Sequence, residues 1–295
     1  PSAALPYHDL LTAGFPCQPF TAGGGSALGP RGFRDPRGQL FWQLVRLLKA
    51  RKDTPELQPK ALLLENVPGL MKNDIARVPA CYDMEIAALD RMVEVGNGAP
   101  VSITSGLPAV LGALSECGYN VSWKLYNAAL LVPQMRERLY IVGIRRDLLS
   151  PSSKQPQPGF AWPELQDLKP TLRDILHGVC DSLSDADLEP YRLSAKQWMG
   201  ITETRYFQHR REHRLPPLNG VANTLRGSYM SGSKLFSQFV PMPSRLAACE
   251  NTEADASHIS SATDVPYRFF TAREAARLQG FPEWFEFAGD GSGQE

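Results

Sequence analysis

A cysteine in a proline-rich turn is the residue best placed to do chemistry. Cys17 lies in the segment GFPCQPFT (residues 14–21), which follows the apolar run LLTA (residues 10–13). The run predicts a short buried strand, and open α/β sheets form their sites beyond the carboxyl ends of their strands. A thiol at that position predicts a nucleophile. The alternative is a buried structural cysteine on a stiff turn.

Two further predicted strand ends carry charged side chains. The run ALLL (residues 61–64) ends at Glu65 in the segment ENVP, and the strand LYIVGI (residues 139–144) follows QMRER, which contains Arg136 and Arg138. A carboxyl group can transfer protons, and a guanidinium can stabilise developing negative charge. Alternatively, Glu65 caps the next helix, and the arginines form a charge pair on an edge strand.

Together and in this order, these segments resemble the cytosine-5 methyltransferase family. They match its P-C-Q nucleophile motif, its E-N-V motif and its Q-x-R-x-R motif. The segment YRFFTAREAARLQGFP (residues 267–282) is similar to the start of the family's last motif, and NTL (residues 223–225) to the motif before it. Five motifs in the family's order make the resemblance specific.

The resemblance implies a mechanism and a role for each catalytic residue. The Cys17 thiolate adds to C6 of a cytosine that has been flipped out of double-stranded DNA. Glu65 acts as the acid at N3, and Arg138 stabilises charge at the O2 carbonyl. Arg136 orients Glu65 or the loop. The glycines at 23–25 let the loop after Cys17 close over the flipped base.

The resemblance also implies binding residues and a cofactor. Substrate-binding residues are expected to be Gln18, Asn66, Gln134 and Thr224. The cofactor is S-adenosyl-L-methionine, and the backbone of Pro16 and the side chain of Leu40 are expected to contact it. The scattered, odd number of five cysteines includes no C-x-x-C pair, so we expect no metal site.

The sequence departs from the family at both ends. The family's glycine-rich F-x-G-x-G-G turn does not precede Pro1, and its closing Asn-Ala-Val-Pro-like segment does not follow Phe287. We therefore expect the main cofactor motifs to be absent and the chain to be an incomplete form of the enzyme. The strand at residues 7–13 should then be an exposed sheet edge. A complementing N-terminal segment is a possible partner.

Alternating strands and helices predict an α/β fold: a partial Rossmann-like, S-adenosylmethionine-dependent methyltransferase fold with an antiparallel edge and a small irregular target-recognition domain. We expect helices at 37–51, 84–95, 107–117 and 271–279, and strands at 7–13, 60–65, 119–128 and 138–145. The expected domains are an incomplete catalytic core (1–149), a target-recognition region (150–219), and a return to the core (220–295) with a variable insertion at 245–264.

Composition restricts the class of protein. The formal net charge is zero, so the whole chain is not a strongly basic nucleic-acid binder, although residues 205–214 form a local basic cluster. No apolar run approaches the length of a membrane span. Free cysteines suit a reducing compartment, so we expect an intracellular protein, nuclear if eukaryotic and cytoplasmic if bacterial.

Two alternatives to a DNA methyltransferase remain. The family's tRNA-modifying branch shares the nucleophile and E-N-V motifs. A non-catalytic nucleic-acid-binding remnant would have kept the fold and lost the cofactor site. Intact Cys17, Glu65, Arg136 and Arg138 favour an enzyme.

Overall fold

The computed structural model describes residues 6–21, 32–71, 106–149, 160–227, 229, 237–246 and 265–287. The chain divides into two compact units, the first formed by residues 1–126 and 137–164 and the second by residues 127–136 and 165–295. Residues 220–295 therefore cluster with 165–219, while the functional domains predicted from sequence stay a prediction. The predicted helix at 84–95, the glycines at 23–25 and most of the insertion at 245–264 lie outside the described residues.

A mixed four-stranded sheet forms the centre of the first unit. Its strands are β1 (Leu10–Gly14), β2 (Ala61–Asn66), β3 (Tyr119–Asn127) and β5 (Glu137–Arg145), arranged in the order β1-β2-β5-β3. β1 is parallel to β2, whereas β5 runs antiparallel to β2. The predicted α/β class with an antiparallel strand is thus confirmed. Among the described strands, β1 is an edge, as expected from the sequence.

Two helices line one face of this sheet. Helix α1 (Leu40–Lys49) buries Phe41, Trp42, Val45 and Leu48, which recur at the spacing of one helix face. Helix α2 (Gly106–Glu116) is buried at each of its first nine residues. Their apolar side chains join those of β2 and β5 in one core, which also includes Leu62, Leu64, Leu139 and Ile141.

The alternation of burial along β2 shows which side chains face that core. Leu62, Leu64 and Asn66 are buried, while Leu63 on the opposite face is 38% exposed. Because side chains alternate across a strand, Glu65 lies on the same face as Leu63, away from the helices. The sheet therefore presents Glu65 on its more open face.

The second unit has little regular structure. Its strands are the short β4 (Gln134–Met135), β6 (Ala222–Asn223), β7 (Val240–Pro241) and β8 (Tyr267–Arg268), and its helices are α3 (Ala195–Thr202), α4 (Arg205–His209) and α5 (Ala272–Leu278). β4 pairs with β6 in parallel, and β7 pairs with β8 in antiparallel. Trp198 stacks on Tyr267 with ring centroids 4.9 Å apart, which ties α3 to β8 within one apolar cluster.

Helix α5 begins with a capping box. Thr271 is the N-cap, its hydroxyl accepts a hydrogen bond from the Glu274 N–H, and the Glu274 carboxylate accepts one from the Thr271 N–H. Glu274 also binds the fully buried Arg268 guanidinium through both oxygens, at 2.6 and 2.7 Å. This bidentate pair fixes α5 to β8.

Within the described residues, the predicted element boundaries differ from the structure by at most three residues. β1 begins at Leu10 rather than at residue 7, and α1 spans Leu40–Lys49 rather than 37–51. Terminal residues of this kind make few of the interactions that hold an element, so sequence pattern places them poorly. None of the helices within the described ranges is long and apolar enough to cross a membrane.

Candidate active site

The register of β1 against β2 brings the two predicted motifs together. Gly14, the last residue of β1, is paired with Glu65. A Cβ atom added at Gly14 would lie 3.6 Å from Glu65 Oε2, so the carboxylate lies directly beside the backbone that leads to Cys17. The nucleophile and acid motifs therefore leave the sheet side by side, at the carboxyl ends of parallel strands.

Aromatic side chains hold the cysteine loop on both sides. Cys17 is half-buried and directly precedes a single 3-10 turn, Gln18–Phe20, in which the Phe20 N–H donates to the Cys17 carbonyl at 2.9 Å. Phe15 and Phe20 are buried and pack on Phe41 and Phe33, each with ring centroids 5.2 Å apart. These contacts fix the backbone around Cys17 while leaving part of the cysteine exposed.

Asn66 links the cysteine loop to the E-N-V segment. Its side chain is fully buried; Nδ2 donates to the Phe15 carbonyl at 3.1 Å, and Oδ1 accepts from the Val67 N–H at 2.8 Å. The substrate contact predicted for Asn66 stays a prediction. Its amide nitrogen and oxygen both bind backbone, because the loop's carbonyl would otherwise be left unpaired in the interior.

Glu65 forms an ion pair with Arg138. Arg138 Nε lies 2.9 Å from Glu65 Oε1, and Arg138 Nη1 also donates to the Glu137 carbonyl at 2.7 Å. The Glu65 side chain is 39% exposed and that of Arg138 is 17% exposed. Arg138 reaches Glu65 because β5 places residue 138 just beyond the partner of Asn66.

A tyrosine beside Glu65 was missed by sequence reasoning. Tyr140 is the direct antiparallel partner of Glu65, and side chains so placed are neighbours on one face of a sheet. Its ring lies 6.0 Å from that of Tyr126, which lies 6.0 Å from Trp162. The alternation of β5 would have revealed Tyr140, because residues 138 and 140 share a face.

In the second unit, the Q-x-R-x-R segment is joined to the segment around Thr224. Gln134 is fully buried; its Nε2 donates to the Leu278 carbonyl at 2.9 Å and its Oε1 accepts from the Leu225 N–H at 3.0 Å. The Thr224 hydroxyl donates to the Met135 carbonyl at 2.6 Å. The amide of Gln134 thus links three backbone segments, and the substrate contact predicted for this residue stays a prediction.

Arg136 belongs to the second unit, where its backbone is fixed at both ends. Its N–H donates to Asn127 Oδ1 at 3.1 Å, and its carbonyl accepts from the Ala128 N–H at 3.0 Å. Asn127 Oδ1 also accepts from the Ala129 N–H at 3.0 Å, so one side chain organises the turn before the motif. The catalytic role of Arg136 stays a prediction.

The two residues expected to contact the cofactor offer little polar surface. Pro16 is half-buried, and Leu40, at the start of α1, is 51% exposed. The Leu40 side chain is apolar, and the Pro16 backbone supplies a carbonyl acceptor but no N–H donor. These two residues therefore do not make a complete site for S-adenosylmethionine.

The other described cysteines differ from Cys17 in their surroundings. Cys117 is fully buried, and burial raises the pKa of its thiol to about 11. Cys180 is exposed, with its thiol donating to the Asp174 carbonyl at 2.7 Å, and partial burial raises its pKa as well. Neither lies at the end of a strand of the central sheet.

Comparison with known proteins identifies relatives along nearly the whole chain. The chain is 31% identical over 283 residues to the type II methyltransferase M.DsaV of Dactylococcopsis salina, and the match covers 96% of this chain and 61% of that protein. It is 32% identical over 282 residues to M1.ScrFI of Lactococcus lactis subsp. cremoris, covering 95% of this chain and 55% of the relative. The chain thus spans less than two thirds of these relatives' length.

Solved structures show the same fold. The Entamoeba histolytica methyltransferase EhMeth matches with a TM-score of 0.53 at 13% identity, covering 97% of this chain and 69% of that one. A mutant of Spodoptera frugiperda DNMT2 matches with a TM-score of 0.51 at 16% identity, covering 96% of this chain and 72% of that one. The predicted methyltransferase fold is thereby confirmed.

The family comparison extends over all of the motifs discussed above. The model of the family described as C-5 cytosine-specific DNA methylase matches residues 2–81 and 104–295. Cys17, Glu65 and Arg138 all fall inside these ranges, as do the segments around Gln134 and Thr224. The chain therefore belongs to the C-5 cytosine-specific DNA methylase family.

Proposed function

We propose that this chain binds double-stranded DNA and activates cytosine for methylation at C5, with S-adenosylmethionine as the methyl donor. Membership of the family and the type II methyltransferases among its relatives support this function. The observation that carries the proposal is the Glu65–Arg138 ion pair beside Gly14, which adjoins the cysteine loop. It joins the acid and the cationic group that activation of cytosine requires.

The proposed reaction begins with addition to the pyrimidine ring. The Cys17 thiolate forms a bond to C6, and the electrons of the C5–C6 double bond move toward N3 and O2. Glu65 delivers a proton to N3, which neutralises the adduct and makes C5 nucleophilic. S-adenosylmethionine, when bound, supplies an electrophilic methyl group. After substitution, a base removes the C5 proton and the bond between sulfur and C6 breaks, which regenerates Cys17.

Arg138 is proposed to act on both reacting partners. In the free protein its Nε lies against Glu65, so it fixes the carboxyl group at the end of β2. The remaining N–H groups of its planar guanidinium are suited to a carbonyl oxygen such as O2 of cytosine. Stabilising charge on O2 lowers the barrier to addition, because that charge develops only as the Sγ–C6 bond forms.

A cytosine stacked in a duplex does not expose C6 to a side chain, so we propose that the base is flipped out of the helix. Gln18, which is exposed next to Cys17, is the residue best placed to meet the nucleic acid. Asn66 and Gln134 are proposed to act as positioning residues, since both of their amides bind backbone.

We also propose that β1 accepts another strand, from elsewhere in the same polypeptide or from a complementing segment. In the described sheet β1 pairs with β2 on one side, and Leu10 is 51% exposed. An open, apolar edge of this kind is a template for strand addition. Together with Pro16 and Leu40, the added segment would complete the cofactor site.

The choice between DNA and tRNA can be tested without the cofactor. Reversible addition at C6 makes C5 basic, so tritium placed at C5 should be released to water. We expect release from C5-tritiated duplex DNA and little from tRNA labelled in the same way. Release from tRNA alone would assign the chain to the tRNA-modifying branch, and release from neither would favour a non-catalytic nucleic-acid-binding protein.

A further inference from the structure

A buried arginine in the second unit has no carboxylate partner in the part of the chain that the structure describes. Arg214 is 1% exposed, and neither of its terminal nitrogens has a hydrogen-bond partner among the described residues. The guanidinium lies 5.1 Å from the centre of the Phe239 ring, and the titratable groups that face it are the hydroxyls of Tyr206 and Tyr229. No described carboxylate is among these groups. A cation–π contact offsets only part of the cost of burying a charge.

A second deeply buried arginine of this unit shows the carboxylate pairing that is typical of a structural arginine. Arg268 is fully buried, like Arg214, but two of its nitrogens bind the two oxygens of Glu274. Buried charges in proteins are generally paired in this way. Arg214 departs from that rule, although its backbone is firmly held: its N–H donates to the Arg211 carbonyl and its carbonyl accepts from the Phe239 N–H, both at 2.8 Å.

The surrounding sequence is suited to an anion. Residues 205–214 hold four arginines and two histidines but one acid, Glu212, in a chain of zero net charge. Arg211, three residues before Arg214, also has one buried terminal nitrogen without a hydrogen-bond partner among the described residues. Guanidinium nitrogens without an acceptor on two residues of one basic segment favour an acceptor supplied by a ligand.

We propose that Arg214 binds a backbone phosphate of the nucleic-acid substrate; this proposal rests on the function proposed above. A guanidinium binds phosphate oxygens through two parallel hydrogen bonds, which match the two unsatisfied nitrogens. Tyr206, whose hydroxyl is among the groups that face Arg214, is 38% exposed and bonds to His213 at 3.0 Å. The proposal requires this pair to move when a phosphate reaches the buried guanidinium.

The test compares Arg214→Met with Arg46→Met in the chain of residues 1–295. Arg46 is exposed on α1 and bonds to Gln43, so its replacement removes the same charge from a solvated position. Binding of duplex DNA is measured over a range of salt concentrations. Loss of one phosphate contact should lower the slope of log K against log salt by about 0.9 in the Arg214 variant. The Arg46 variant should keep the wild-type slope.

Stability supplies an independent readout. An unpaired buried charge is unfavourable, so Arg214→Met should raise the melting temperature of the free protein, whereas Arg268→Met should lower it by leaving Glu274 unpaired. Arg214→Gln repeats the salt measurement if the methionine variant fails to fold. An unchanged salt slope in a folded Arg214 variant would overturn the proposal, and so would a lowered melting temperature with wild-type affinity.

Inorganic phosphate distinguishes a free anion from the nucleic-acid backbone. A rise in wild-type melting temperature in phosphate relative to chloride, at equal ionic strength, together with a reduced salt slope in the variant, supports the backbone site. A phosphate effect with an unchanged slope would assign Arg214 to a free anion and overturn the proposal. If the wild-type chain binds no duplex at all, the proposed function itself fails.

Discussion

Asn66 donates a hydrogen bond to the carbonyl of Phe15 at 3.1 Å, across two adjacent strand ends. Together with the pairing of Gly14 and Glu65, this bond joins the segment that bears Glu65 to the loop that bears Cys17. Because Asn66 is fully buried, water is not available to replace the bond. The geometry of the acid relative to the thiol therefore depends on a residue that the sequence places among the substrate contacts.

Replacing Asn66 should displace the Cys17 loop relative to Glu65. Asn66→Asp keeps an acceptor for the Val67 N–H but loses the donor to Phe15, leaving a buried carbonyl unpaired at a cost of about 1–3 kcal/mol. We expect C5 tritium release to fall on the order of 100-fold through misplacement of reacting groups. Asn219→Ala, at an exposed position, is the control. Equal release by both variants would show that Asn66 does not position the loop.

The Glu65–Arg138 pair should matter far more for chemistry than for stability. Both side chains are partly exposed, and pairs of this kind contribute about 0–1 kcal/mol to folding. Arg138→Gln should therefore change the melting temperature little, while tritium release falls roughly 100- to 1000-fold through loss of charge stabilisation.

Glu65→Gln removes the proton donor and keeps the side-chain volume, so release should fall roughly 100- to 10000-fold. Denaturant unfolding checks that both variants remain folded. A large loss of stability in either variant, with tritium release preserved, would assign the pair a structural role.

Thiol labelling should distinguish the cysteines. At pH 8, the Cys117 thiol remains protonated because its pKa is raised to about 11 by burial, and it is closed to solvent. Cys17 is half-buried and open to a small alkylating reagent. Peptide mass mapping of the native protein should show Cys17 modified and Cys117 intact. Modification of Cys117 at the rate seen for Cys17 would contradict the packing of α2 described here.

Residues 1–295 alone should bind S-adenosylmethionine poorly. The two residues assigned to the cofactor, Pro16 and Leu40, supply apolar contacts that offset little of the ordering cost of binding. Calorimetry on the purified chain should show a dissociation constant weaker than micromolar. Micromolar or tighter binding would mean that other residues of this chain complete the site.

Sequence pattern located the catalytic motifs because each stands at the end of an apolar run. Cys17, Glu65 and Arg138 could be placed at strand ends in this way, and the structure joins Glu65 to Arg138. The contacts of Arg138 with Glu65 and of Asn66 with Phe15 were not predictable, since they depend on the register between strands distant in sequence. Motif spacing indicates that residues are near one another but not which atoms meet.

The second unit was the hardest to predict, for a physical reason. Its short strands are defined by backbone contacts between remote segments, such as Gln134 with Ala222, and not by local periodicity. Buried polar side chains form many of the links between these segments, and the hydrophobic pattern of the sequence does not reveal them. Arg214 is an example: its sequence neighbours predict an exposed basic cluster, whereas the structure buries its guanidinium.

The most direct test of the account is tritium release from C5-labelled cytosine in duplex DNA by Cys17→Ser, compared with the wild type and with Cys180→Ser. Cys180 is an exposed cysteine outside the proposed site, so its replacement controls for loss of a thiol. A serine hydroxyl is far less ionised than a thiol at neutral pH and should not add to C6. We predict release by the wild type and by Cys180→Ser, none by Cys17→Ser, and equal DNA binding by all three. Release by Cys17→Ser at the wild-type rate would contradict the assignment of Cys17 as the nucleophile.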